Sequence, residues 1–147
     1  MTGNSEFGGA VSSWPWRVVM MGTAAIPLGL LVVAAMLTPD LDGLGTHQQL
    51  GLPPCSMRML FGIRCPACGM TTSWSHFTRG QWPSSLQSNV AGFLLAGLAV
   101  AFSPFAIRAA YSGKMPPWTA QKYATIALVA IGIVAATEWL ARLALDS

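Results

Sequence analysis

Polar and apolar positions divide the chain into three long apolar runs and one long mixed connection. Val18 to Leu37 carries no charge. At 1.5 Å per helical residue it spans roughly 30 Å, the hydrocarbon thickness of a bilayer. A second run, about residues 88–107, is strongly apolar from Val90 onward, and a third runs from Tyr123 to about Ala141. Each predicts a transmembrane helix. Pro27 falls inside the first and Pro104 near the end of the second, which spans tolerate. The expected fold is all-α and integral to a membrane, with three spans in one membrane domain over residues 18–147. Residues 1–17 read as a flexible polar tail, closed by Trp14, Pro15, Trp16 and Arg17 as an interfacial anchor.

The connection from residue 38 to 89 is too long for a bare loop and is expected to hold the functional part, a cysteine subdomain over 52–89. Asp40, Asp42, Gly43 and Gly45 open it as turn material. Met57, Leu60, Phe61 and Ile63, edged by Arg58 and Arg64, suit a segment on the membrane surface. Met70, Trp74 and Phe77 then recur at i, i+4 and i+7, predicting a short interfacial amphipathic helix to about Arg79. Thr72, His76 and Arg79 form its other face, and Gly80 closes it. In the third span Glu138 and Arg142 stand four apart, the spacing of an ion pair along one helix face.

Composition supports the membrane assignment. Apolar residues make up 53% of the 147 and charged residues 9%. A soluble domain carries roughly 25% charged residues. The first run reads as a span rather than a cleaved leader, because its core is long, its tail holds one Arg and no A-x-A site follows. The net charge of +3 is scattered, with no basic stripe, so nucleic acid is not expected as a partner. The lipid bilayer is, together with a membrane partner protein or a homo-oligomer. Lys and Arg near the span ends favour the N-terminus inside. No charge sits mid-span, which argues against a proton relay or ion pump.

The chemistry is carried by three cysteines, Cys55, Cys65 and Cys68, in a stretch that continues Gly69-Met70-Thr71. Pro66 and Gly69 suit a tight turn that presents both thiols of the Cys65/Cys68 pair. Several uses fit this set. A metal knuckle would take Cys55, Cys65 and Cys68 as three ligands of a tetrahedral zinc, with His76 or His47 as the fourth. In an oxidising compartment two of the thiols would form a structural disulfide. As an alternative, Cys65 and Cys68 would be the catalytic pair of a membrane thiol-disulfide oxidoreductase. Buried reduced thiols that only pack are the remaining use. No Ser-His-Asp set, phosphate loop or carboxylate pair points to another enzyme class. A structural, accessory or binding subunit is therefore favoured over an enzyme.

The segment Cys55 to Asn89 resembles a family known as domain of unknown function 2752. The resemblance rests on Cys55, Gly62, Cys65, Pro66, Cys68, Gly69, Thr71, Gly80 and Asn89. Two positions depart from the family pattern. Thr72 stands where an Arg is usual, and Val90 where a Pro is usual. The resemblance implies a small bacterial protein of the inner membrane with this cysteine core. It carries over no established activity.

Overall fold

The computed structural model describes residues 14–40 and 43–145; Asp42 and most of the expected tail lie outside the described residues. The structure is all-helical, and three of its helices are long and apolar enough to cross a membrane. These are α1 (Trp14–Met36), α5 (Val90–Ser112) and α6 (Trp118–Leu145). Between the first two lie a 3₁₀ turn at Thr46–Leu50, α2 (Ser56–Phe61), α3 (Met70–Thr78) and α4 (Trp82–Ser88).

Helix α1 begins earlier than the apolar run alone suggests. Trp14 to Arg17 form its first turn rather than the end of a tail. Pro15 suits that turn, where its missing N–H would be unpaired anyway. Pro27 and Pro104 sit inside α1 and α5 without ending them. Helix α5 starts at Val90 because Asn89 is extended (φ −166°, ψ 113°), so α4 and α5 are two helices. The Asn89 side chain accepts from Gly92 N at 2.6 Å and caps α5.

The spans do not form a closed three-helix bundle. Helix α5 packs against both α1 and α6, but among the described residues no Cα of α6 comes within 8 Å of one in α1. The close approaches use small residues, with Ala24, Ala34, Ala91, Ala96, Ala106 and Ala109 all buried. Helix α6 buries no residue fully, and Ile126, Val129 and Ile133 face outward. Outward apolar side chains are the normal surface of a span, whose solvent is lipid.

At the C-terminal end of α1, helices α3 and α4 pack on the spans as a second layer. The most buried residues of α3 are Thr72, Ser73 and Ser75, not the apolar stripe of Met70, Trp74 and Phe77. The stripe is used as well: Trp74 donates its indole N–H to Gly92 O at 2.9 Å, and Phe77 meets Phe93 edge-on at 5.4 Å. The serines bind backbone. Ser73 donates to Asn89 O, Ser85 to Ser73 O, and Ser75 to Leu37 O. Away from water each such bond removes a costly unpaired group. Gly92 permits the approach, since a Cβ there would lie 3.2 Å from Ser73. Arg79 reaches across to α1 and donates to Ala35 O and Leu37 O, which covers the last carbonyls of that helix. Met59, Leu60 and Phe61 of α2 remain exposed.

Candidate metal centre

Cys55 is the residue just before α2, and Cys65 and Cys68 flank the turn that leads into α3. Three local features shape the site. Gly62 closes α2 in the left-handed region (φ +69°), which turns the chain back toward Cys65. The Cys65-Pro66-Ala67-Cys68 turn is closed by a Cys68 N–H to Cys65 O bond of 3.0 Å. Gly69 then takes φ +85°, where a Cβ would lie 2.6 Å from Ser88 O and 3.0 Å from Gly43 O. Only glycine fits both the angle and the space.

The three sulfurs lie within 4.8 Å of one another. Cys65 Sγ and Cys68 Sγ are 3.3 Å apart, and the Cys65 N–H donates to Cys68 Sγ at 3.3 Å. All three are free thiols. Ligands of a tetrahedral zinc at 2.3 Å would stand about 3.8 Å apart, so the triangle has the right size. The backbone N–H of Arg58 lowers the Cys55 thiol to about 7, helped by its bond with Cys65. Burial pushes Cys65 up to about 12, followed by its bonds to Cys68 and Cys55. Crowded sulfurs resist a second negative charge, and a divalent cation is what relieves that resistance.

The sulfurs line a cavity of about 220 Å³ together with His47, Gln48, Arg58, Thr71 and Thr72. His47 sits on the 3₁₀ turn, outside the sulfur triangle but on the same cavity. His76 is elsewhere: its Nδ1 is 2.6 Å from Gln81 Oε1, and it does not line the cavity. The 3₁₀ turn is held over the cysteines by a buried bond of 2.8 Å between Thr46 and Thr72 hydroxyls. Thr46 Oγ1 also accepts from Asp40 N.

Residues 55–103 match the family model described as "Protein of unknown function (DUF2752)". This segment is similar to that family. It takes in the cysteine set and the whole second layer from α2 to the first half of α5. No curated protein and no solved structure matches the chain at a significant level.

Inside the family segment, Asn89 is the residue that joins the turn to a span. Its Nδ2 donates to Pro66 O at 3.3 Å and Cys68 O at 3.1 Å, while its Oδ1 caps α5. Thr72 is buried against Thr46. Arg79 points away from the cysteines, being bound to α1. The matched segment is also tied to α6. Trp139 donates to Arg64 O at 2.7 Å, next to Cys65. Glu138 accepts from Val90 N and pairs with Arg142, which donates to Ser88 O. Spacing reveals the Glu138–Arg142 pair. The roles of Thr46, Ser73, Ser85 and Trp139 carry no signal in the sequence, because each partner is distant along the chain.

Proposed function

We propose that this is a multi-pass subunit of the bacterial inner membrane whose cysteine layer is a structural zinc site. Cys55, Cys65 and Cys68 supply three thiolates, and His47 supplies the fourth ligand. The observation that carries this is the triangle of sulfurs within 4.8 Å on a cavity that His47 also lines. A Cys₃His set is a common closed zinc site, with no position left for substrate. Three thiolates around Zn²⁺ leave a net charge of −1, which Arg58 on the cavity wall offsets. Bound metal would fix the 3₁₀ turn, α2 and the cysteine turn to one another, holding a shaped surface at one end of the spans. That suits an accessory or binding role better than turnover.

The test is elemental analysis of protein purified in mild detergent, with a count of free thiols. One zinc per chain is expected. His47→Ala is expected to weaken zinc retention against a chelator, and His76→Ala to leave it unchanged. Metal-free protein with a single free thiol would replace the zinc site by a disulfide. Metal-free protein with three free thiols would leave the cysteines as packing residues.

A further inference from the structure

The gap between α1 and α6 is a second cavity, of about 510 Å³, floored by α5. Trp16, Pro27, Leu31, Ala99, Phe102 and Leu128 are among its walls, and almost all of its lining is apolar. It runs from Trp16 to Leu31 along α1, a length of roughly 22 Å at 1.5 Å per residue. Its apolar walls suit a hydrocarbon chain lying along the spans.

One end of the groove is basic. Trp16 packs on Ala109 and Ala110, which places the start of α1 beside the end of α5. The Arg17 guanidinium lies against Gly113, within 3.0 Å of where a Cβ would stand. Pro116 and Gln121 also line the groove, so Arg17, Arg108, Lys114 and Lys122 all belong to the same end of the spans. Among the described residues no carboxylate pairs with any of the four.

We infer that the α1–α6 groove is a binding site for one anionic phospholipid. An acyl chain lies along the groove beside Trp16, and the phosphate faces the basic end. Charge selects an anionic headgroup over a zwitterionic one. The inference does not depend on the cysteine layer.

The test uses the full chain in phosphatidylcholine vesicles. Lipid brominated in its acyl chains is titrated in, either phosphatidylglycerol or phosphatidylcholine, and tryptophan fluorescence is read. The Trp16 component is the difference between wild type and Trp16→Phe. Half-maximal quenching of that component is expected at a mole fraction roughly fivefold lower for brominated phosphatidylglycerol. Ala99→Phe, which narrows the groove, should abolish the excess quenching. Arg17→Gln with Lys122→Gln should bring the phosphatidylglycerol curve onto the phosphatidylcholine curve while circular dichroism stays unchanged. This charge variant leaves the buried walls intact, so it decides the matter even if Ala99→Phe fails to fold. Coincident curves in wild type would overturn the assignment, as would an excess that survives the charge substitutions. So would a cross-linked dimer through the groove that excludes the brominated chains, because a second copy would then be the occupant.

Discussion

Replacing Asn89 by Ala should be among the most damaging single changes in the chain. The substitution removes three hydrogen bonds at a buried position: Nδ2 to Pro66 O, Nδ2 to Cys68 O, and Gly92 N to Oδ1. Loss of the cap costs about 1–2 kcal/mol. Each carbonyl left without a donor adds roughly 1 kcal/mol, more where water cannot enter. The total is about 3–5 kcal/mol, a shift of more than a hundredfold in the unfolding equilibrium. Asn89→Ser separates the two jobs. Its hydroxyl can still cap α5, but it is too short to reach the cysteine turn, so about half of the loss should return. The assay is unfolding by SDS titration in mixed micelles, followed by circular dichroism, for wild type and both variants. A cost below about 1 kcal/mol for Asn89→Ala would refute the assignment of Asn89 as the joint between turn and span. Equal damage from Ser and Ala would refute the division between its two jobs.

Gly69→Ala should abolish accumulation of folded protein in the membrane, since its Cβ would meet Ser88 O at 2.6 Å. Gly80→Ala also sits at positive φ but has nothing within 4 Å, so its cost should stay near 1 kcal/mol in the same SDS titration. If the proposed zinc site is right, Cys65→Ser is expected to remove the metal and lower the melting temperature in detergent; unchanged metal content by elemental analysis would exclude Cys65 as a ligand. Thr46→Val or Thr72→Val alone should cost about 1–3 kcal/mol, because each leaves a buried hydroxyl without its partner. Paired, the two substitutions should cost less than their sum in a double-mutant cycle, and strict additivity would argue against the bond. Arg79→Gln should destabilise by about 1–2 kcal/mol through the exposed carbonyls of Ala35 and Leu37.

The spans were legible because charge-free runs of span length have few other uses. The cysteine turn was legible because Pro66 and Gly69 announce it. Less could be read in the second layer, where serines and threonines decide the packing. Ser73, Ser75 and Ser85 look like solvent-facing positions on a helix, yet all three are buried against backbone. Periodicity put weight on Met70, Trp74 and Phe77 because it scores apolar side chains. It is blind to a small hydroxyl that satisfies a carbonyl at close range. Arg79 illustrates the same limit: its partner Leu37 O lies 42 residues away. The sequence leaves both histidines open as a fourth ligand. The Thr46–Thr72 bond is what brings the His47 segment to the cysteine cavity, and neither residue stands out in the sequence.

The bonds that α6 makes to the cysteine layer have a bearing on how the chain is assembled during synthesis. Trp139 and Arg64 are 75 residues apart, and Glu138 stands 48 residues beyond Val90. A ribosome that has delivered the first two spans has not yet delivered either partner. Until the last helix enters the bilayer, the carbonyl beside Cys65 lacks its indole donor and the first N–H of α5 lacks its carboxylate. The membrane layer is thus sealed from its C-terminal end, and a nascent chain halted before Glu138 would present an unfinished cysteine turn to quality-control proteases.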